Sequence, residues 1–181
     1  MMGNKGMASP LKLVQLWGGA AEIAVPKVMI DMSDIRPVPD NQEVYMNSDS
    51  GQALVIEIVE PVKPPAGESI AAFCFQDLAQ VSGACVKEQH TQTLDNAAVP
   101  ELTDAVLIEM VSGTHTVSDQ DGGAKHDVHV VLAVIRLQGS NGDIIMMLST
   151  PEASNGVSAN QMQLFTTMCK GLRFNDRSLL S

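Results

Sequence analysis

The sequence predicts an α+β domain in which a mainly antiparallel β-sheet is flanked by helices. Three observations indicate this class. Short apolar stretches alternate with turn-forming residues along most of the 181 residues, as in strands that are joined by hairpins. Two longer segments, one central and one near the carboxyl end, show the apolar spacing of amphipathic helices instead. Because hairpins in series connect neighbouring strands, the pattern favours antiparallel over parallel pairing.

The amino-terminal part of the chain is predicted to form two hairpins. A Gly-Gly turn joins the strands of the first, and a polar loop at residues 47–51 joins those of the second. Between the hairpins, Asp31 or Ser33 is placed to cap a single helical turn that Pro37 would end. The four predicted strands are Leu11–Trp17, Ala21–Val25, Val44–Met46 and Ala53–Val59.

Two helices and four further strands are predicted in the rest of the chain. The helices are Glu68–Val81 and Gln161–Leu172, and their apolar faces carry Cys74 and Cys169. A thiol in such a position packs as a small apolar side chain. An Asn-Gly pair at 141–142 indicates a hairpin turn before the last strand. The strands are Val86–Leu94, Ala105–Val111, Val128–Leu137 and Ile144–Leu148.

The organisation of the chain is expected to be simple. Residues 1–10 are small and polar, which predicts a disordered leader, and residues 11–181 are long enough for a single domain with its own core. The sequence has no apolar stretch of the kind found in signal peptides or membrane spans. Its three Cys are too few and too scattered for a disulfide framework, so we expect free thiols in a reducing compartment.

The charge of the chain is strongly negative and unevenly distributed. Lys and Arg total 11 against 21 Asp and Glu, which gives a net charge of −10. This balance argues against nucleic acid and against anionic membrane surfaces as partners. Residues 31–60 contain seven acids and one base, so this window carries −6 of the total. An acidic surface confined to one segment favours a basic protein as the partner.

Asp40 and Glu43 are the leading candidate residues within this acidic window. They are three residues apart and follow Pro37-Val38-Pro39, so on a helical turn they would share a face. We expect both on an exposed turn after Pro39. The plainer alternative is a solvated loop with two ordinary carboxylates. An enzyme could use such a pair as general acid and base, but that needs an apolar pocket around one carboxylate, and the sequence shows none.

Other chemistry-bearing residues give weaker signals. His115, His126, Asp127 and His129 are the best metal candidates, but strand alternation places His126 and His129 on opposite faces. At most two ligands then share a face, whereas zinc needs three or four. The glycine patterns of phosphate-binding and dinucleotide-binding loops are missing from the sequence, and the single Trp17 is expected to pack in the core. The sequence therefore predicts no metal, no cofactor and no enzyme active site.

A longer motif carries a more specific signal. The chain reads Leu-Trp-Gly-Gly-Ala at 16–20, Val-Pro at 25–26 and Ile-Asp-Met-Ser-Asp-Ile-Arg-Pro-Val-Pro-Asp-Asn-Gln-Glu-Val-Tyr at 30–45. These residues closely resemble the signature of the Ran guanine nucleotide release factor family, the Mog-type nuclear import factors. The resemblance runs from about residue 14 to the end of the chain. It is strengthened by similar segments at 73–78, 131–137 and 165–172.

The resemblance implies both a fold and a function. The implied fold is that of the photosystem subunit PsbP, an α/β/α sandwich around an antiparallel sheet. The implied function is binding to the small GTPase Ran and release of its guanine nucleotide, in support of nuclear protein import. We therefore expect a monomer in the nucleus and cytoplasm, with Ran as its partner and room for a second Ran-binding protein. The alternative is an acidic adaptor for another basic protein, without nucleotide-release activity.

The resemblance also implies which residues contact Ran. Two of the implied contact residues, Asp40 and Glu43, occupy the Asp-x-x-Glu positions that matter most for Ran in this family. Carboxylates at an interface act by pairing with basic groups, so no covalent step is required, and we expect a nucleotide release factor that is not an enzyme. The expected set is Asp31, Asp34, Arg36, Asp40, Asn41, Gln42 and Glu43.

Overall fold

The computed structural model describes residues 10–118, 124–152 and 157–181, with side chains at all of these except 157–159. The predicted leader lies outside the described residues apart from Pro10. Within the described parts the chain forms ten strands and two α-helices. In chain order they are β1 (Leu11–Leu16), β2 (Ala21–Pro26), β3 (Ile30–Asp31), β4 (Gln42–Met46), β5 (Ala53–Val59), α1 (Ile70–Val81), β6 (Cys85–Thr93), β7 (Ala105–Ser118), β8 (Lys125–Leu137), β9 (Asp143–Pro151), α2 (Val157–Gly171) and β10 (Arg173–Phe174).

The strands form two antiparallel sheets. The larger sheet has seven strands in the order β3-β4-β5-β9-β8-β7-β6, and the smaller has three in the order β1-β2-β10. The predicted hairpins are present, since Leu11 of β1 lies opposite Pro26 of β2 and Met46 of β4 lies opposite Ala53 of β5. The predicted α+β class with a mainly antiparallel sheet is therefore confirmed.

Alternating side chains on the central strands separate two hydrophobic cores. Ile144 and Met146 of β9 belong to the larger core, which they share with Ile23 of β2 and Phe165 of α2. The residue between them, Ile145, points to the opposite face and belongs to a smaller core that α1 completes. The layers are therefore α1, then the seven-stranded sheet, then α2 together with the three-stranded sheet.

Some elements are longer or shorter than the apolar pattern predicts. Helix α1 begins at Ile70, two residues after the predicted start, because Ser69 caps it by accepting a hydrogen bond from the Ala72 backbone N at 3.2 Å. Strands β7 and β8 extend well beyond their apolar stretches. Polar pairs hold these extensions together, since Thr116 Oγ1 donates to Asp127 Oδ1 across the two strands at 2.7 Å.

An ion pair between the half-buried Arg136 and the buried Asp143 connects the β8–β9 hairpin to the segment that follows β5. Arg136 donates from Nε and from a terminal nitrogen to the two carboxylate oxygens of Asp143, each at 2.7 Å. The same terminal nitrogen donates to the Val62 carbonyl at 3.0 Å, and Asp143 accepts from the Val62 backbone N at 2.8 Å. Asp143 is 0% exposed, and its charge is balanced by the two-pronged contact with Arg136.

The three thiols are free and lie in different environments. The prediction that Cys74 and Cys169 lie on inward helix faces is confirmed, since Cys169 is buried in the larger core and Cys74 packs against the smaller one. Burial raises the pKa of Cys169 to about 12. Burial also raises the pKa of Cys74 to about 11, and nearby carboxylates add to the effect. Cys85 on β6 is exposed.

Gly113 of β7 lies where the ring of Phe75 from α1 comes down onto the sheet. A Cβ atom at this position would lie 2.2 Å from the Glu88 carbonyl oxygen and 2.7 Å from Phe75 Cζ. One of these neighbours is backbone of the paired strand β6, so it cannot rotate out of the way. The absence of a side chain at Gly113 therefore permits the packing of α1 on the sheet.

We expect Gly113→Ala to destabilise the protein by about 2–3 kcal/mol, because the added methyl group overpacks the contact between α1, β6 and β7. Urea denaturation would measure the loss. The matched control is Ser112→Ala, a neighbouring half-buried position, which should change the free energy of unfolding by no more than about 0.5 kcal/mol. Equal stability of Gly113→Ala and the wild-type protein would contradict this account of the packing.

Candidate functional site

The acidic segment lies at one edge of the seven-stranded sheet, between β3 and β4. These short strands pair with each other, with Asp31 opposite Tyr45 and Ile30 opposite Met46. The connection between them therefore begins and ends at the sheet. It carries most of the predicted site residues on a loop whose two ends are fixed by backbone hydrogen bonds.

Asp31 begins this connection by capping a short helical turn, Met32–Asp34. Its Oδ1 accepts hydrogen bonds from the Ser33 backbone N at 2.8 Å and from Ser33 Oγ at 2.7 Å. The predicted cap is thus present, with Asp31 in the capping role. Asp34 and Arg36 follow on the exposed side of the turn. The turn therefore presents the Asp34 carboxylate and the Arg36 guanidinium to solvent, while one oxygen of the Asp31 carboxylate is already hydrogen-bonded to Ser33.

Asp40 is exposed in the tight turn that precedes β4. The turn is closed by the Gln42 backbone N, which donates to the Pro39 carbonyl at 2.9 Å. Asn41 then attaches it to β5, because its Nδ2 donates to the Ile58 carbonyl at 3.1 Å and its own carbonyl accepts from the Ile58 N at 3.0 Å. A rigid backbone therefore holds an accessible Asp40 carboxylate, as the sequence predicts.

Gln42 and Glu43 point to opposite faces of β4. Gln42 Nε2 donates to Glu57 Oε2 at 2.9 Å, on the face that carries α1. Glu43 points to the other face, towards the three-stranded sheet, where its Oε1 accepts a hydrogen bond from the Trp17 backbone N at 2.5 Å. The prediction that Glu43 lies with Asp40 on an exposed turn is therefore wrong. The turn ends at Gln42, and Glu43 is a half-buried strand residue.

The environment of Glu43 changes its acidity. Burial raises the pKa of its carboxyl above the usual 4.5, and the nearby Asp31 charge acts in the same direction. The hydrogen bond from Trp17 opposes both effects by favouring the ionised form. Burial also raises the pKa of the nearby Tyr45 hydroxyl, and the charges of Glu43, Asp31 and Asp34 add to the effect.

Trp17 connects the acidic segment to the smaller sheet in a way that the sequence did not reveal. Its backbone has a φ of 47°, in the left-handed region that non-glycine residues rarely adopt. Gly18 and Gly19 continue the turn with φ values of 63° and 99°, where glycine is needed. The indole ring stacks on Phe174 with a centroid distance of 6.0 Å. Trp17 packs at the rim of the larger core and is only half-buried, so the core prediction is correct in part.

A concavity of about 360 Å³ lies beside the acidic turn. Trp17, Asp40 and Asn41 form one side, and the carboxyl-terminal residues Leu179–Ser181 form another. Glu43 is not among the lining residues, because its carboxylate is directed to the Trp17 backbone. This concavity therefore does not bring the Asp40 and Glu43 carboxylates together, as a general acid and base pair would require.

Two of the candidate metal ligands, His115 and His129, lie in different surroundings. His115 is buried against the ring of Phe75 at a centroid distance of 4.2 Å, and burial lowers its pKa. His129 Nδ1 lies 3.2 Å from Thr114 Oγ1, and Asp127 pairs with Lys87. In the parts of the chain that the structure describes, no three His, Cys, Asp or Glu side chains come together in a way that could hold a metal ion.

Neither helix of the described residues has the length and apolar character that a membrane span requires.

Solved structures define the class of fold. The crystal structure of the Saccharomyces cerevisiae Ran-binding protein Mog1p matches with a TM-score of 0.70 and 23% identity, and covers 96% of this chain and 100% of that one. The solution structure of the cyanobacterial PsbP protein CyanoP from Synechocystis matches with a TM-score of 0.55 and 16% identity, over 96% and 97% of the two chains. The fold is therefore the PsbP-like arrangement that the resemblance implies.

Sequence comparisons identify the family. The protein-family model described as "Ran-interacting Mog1 protein" matches residues 14–151 of this chain. The Ran guanine nucleotide release factor of Homo sapiens is 30% identical over 149 residues, which are 81% of this chain and 79% of the relative. The Danio rerio protein of that name is 31% identical over 153 residues, which are 80% of this chain and 81% of the relative. The chain belongs to the Mog1 family.

We expect Glu43→Ala to destabilise the protein by about 1–3 kcal/mol, because it leaves the Trp17 N–H without its acceptor in a half-buried turn. Glu43→Gln keeps an acceptor oxygen at this position and, below about pH 4.5, where the wild-type carboxyl is also neutral, should stay close to the wild-type free energy of unfolding. Asp40→Ala, on the exposed turn, should change stability by no more than about 0.5 kcal/mol. Urea denaturation of the three variants would measure these differences.

The pH dependence provides a second measurement on the same variants. Because the pKa of Glu43 is raised in the folded state, its contribution to stability is fully present below the unfolded value of about 4.5 and is lost as the pH rises through the folded value. Wild-type protein should therefore lose stability relative to Glu43→Gln as the pH rises from about 4.5 towards neutral. A difference that is constant over this range would contradict the burial of the Glu43 carboxyl.

Proposed function

We propose that this chain binds the small GTPase Ran, promotes release of its guanine nucleotide and so supports nuclear protein import, acting in the nucleus and cytoplasm. The observation that carries the proposal is membership of the Mog1 family, together with relatives named Ran guanine nucleotide release factor that align over about four fifths of the chain. The proposed factor works as a monomer and regulates Ran without a covalent step.

The proposed Ran-contacting surface is the edge segment between β3 and β4. Its exposed members are Asp34, Arg36, Asp40 and Asn41, and its half-buried members are Asp31, Gln42 and Glu43. Asp40 is the principal contact, because its carboxylate is accessible and its backbone is held on both sides. Glu43 combines two roles, since one carboxylate oxygen binds the Trp17 N–H and the charge adds to the acidic surface.

Carboxylates suit the release of a nucleotide for a physical reason. A GTPase of this class holds the nucleotide phosphates with a lysine, backbone N–H groups and Mg²⁺. A release factor must bind the nucleotide-free or distorted state more tightly than the loaded state. Carboxylates at the interface can pair with the basic groups that otherwise serve the phosphates. A 100-fold weakening of nucleotide binding needs about 2.7 kcal/mol of differential binding, which one or two desolvated charge pairs can supply.

Stopped-flow release of a fluorescent guanine nucleotide from Ran tests the proposal directly. We expect faster release in the presence of this protein than in its absence, with both GDP and GTP forms measured. Binding to Ran without any acceleration would favour the alternative of an adaptor module. Failure to retain Ran at all would point to another basic protein as the partner of the acidic segment.

A substitution series tests whether the site is local. Asp40→Ala should weaken Ran binding by about 2 kcal/mol or more if the carboxylate pairs with a basic group in a desolvated contact. Asp40→Lys should weaken it further, because it adds repulsion between like charges. The matched control is Asp49→Lys, an exposed acid in the loop between β4 and β5, which should cost little. Equal losses for Asp40→Lys and Asp49→Lys would mean diffuse charge attraction, and would overturn the assignment of a specific site.

A further inference from the structure

Helix α1 covers only part of one face of the seven-stranded sheet. It packs on β6, β7 and β8. The next strands across the sheet, β9 and β5, extend the same face to one side of the helix. A groove of about 520 Å³ runs along the uncovered side of the helix. This volume lies within the range of about 300–1,000 Å³ that is typical of ligand-binding pockets.

The groove is lined mainly by apolar side chains. The sheet contributes Val55 and Val59 from β5 and Met147 from β9, while α1 contributes Phe73 and Leu78. Val81 stands at the end of α1 beside the groove and is 80% exposed. Val81 therefore extends the apolar lining of the groove to the exposed end of α1, and a contiguous apolar surface of this kind indicates an interaction site.

The charged side chains that line the groove, in the part of the chain that the structure describes, are all acidic. Glu57, Glu60 and Asp77 lie among its lining residues, and no Lys, Arg or His does so in the described parts of the chain. The nearby Arg136 is paired with Asp143 and adds no free positive charge. The carboxylates of Asp143, Asp77 and Glu57 all act on the Cys74 thiol in the groove wall and disfavour its anionic form. The groove therefore combines an apolar floor with a negative potential.

From this combination we propose that the groove binds a basic amphipathic segment of a protein partner. Apolar side chains of the segment enter the space between α1 and β5, and its Lys or Arg side chains pair with Glu60 and Asp77 at the rim. This corresponds to the helix-in-groove mode of peptide recognition. The site is on the opposite face of β4 from Glu43, and the proposal does not depend on Ran binding.

Two adjacent methionines provide a site-specific test. Met147 lines the groove, whereas Met146 is fully buried in the larger core on the other face of β9. The full chain would be labelled with ¹³C in its methionine methyl groups and titrated with a synthetic 14-residue helix of Leu and Lys in amphipathic order. We expect the Met147 signal, assigned with Met147→Leu, to shift to saturation while the Met146 signal stays in place.

Variants separate the groove from general charge attraction. Glu60→Gln/Asp77→Asn should weaken peptide binding by about fivefold or more, because two ion pairs are lost at the rim. The matched control is Asp49→Asn/Glu101→Gln, which removes the same number of exposed acids elsewhere and should change the dissociation constant by less than about twofold. Val81→Ser removes an apolar contact without changing the charge and should also weaken binding, and because Val81 is exposed this change should not unfold the protein.

Three results would overturn the proposal. One is saturable binding that leaves the Met147 methyl signal unmoved, because the peptide would then bind outside the groove. Another is equal loss of affinity in the two acid-to-amide pairs, which would mean attraction by net charge alone. The third is equal binding of a peptide with Glu in place of every Lys, which would mean that the groove accepts any apolar segment and does not select a basic one.

Discussion

The central strands of the large sheet are buried on both faces, and the rest of the architecture follows from the need to cover them. Val134 and Ile135 of β8 are neighbours that point in opposite directions, and each is 0% exposed. One face is covered by α2 and the three-stranded sheet, and the other by α1. A single helix has a diameter of about 10–12 Å, whereas neighbouring strands are about 4.8 Å apart, so α1 covers two or three strands of seven. The uncovered remainder of that face is the groove beside α1.

The acidic segment is positioned by the same arrangement. It lies at the edge of the large sheet, where β3 and β4 have no further strand beyond them in the described fold, and its backbone is fixed to β5 through Asn41. Glu43 connects it to the smaller sheet by accepting the N–H of Trp17, a residue with a strained backbone. A substitution at Glu43 therefore acts on the folding of the Trp17 turn and on the charge of the surface together. Asp40 has no such structural contact in the described residues and reports on the surface alone.

The ion pair of Arg136 with the buried Asp143 holds the segment that separates the two concave surfaces. Val62 is bonded to both partners, and the chain between β5 and Val62 borders the groove on one side and the concavity beside Asp40 on the other. Glu60 lines both spaces. Because a buried carboxylate without its partner is costly, this contact keeps the segment in one place and gives both surfaces a stable boundary.

The sequence by itself determined the features that depend on residues close together in the chain. The apolar spacing of α1, the hairpins, the capped turn that begins at Asp31 or Ser33 and the exposure of Asp40 after Pro39 were all predictable, because each rests on contacts within a few residues. The motif at 16–45 was also sufficient to indicate the family. The tertiary structure alone decided the orientation of Glu43, since its partner Trp17 is 26 residues away and joins it only when the two sheets pack. It also decided the extension of β7 and β8 through polar pairs, and the groove beside α1. These features depend on how the layers and strands pack against one another. A local pattern of residues cannot predict them, because the contacting residues are far apart in the sequence.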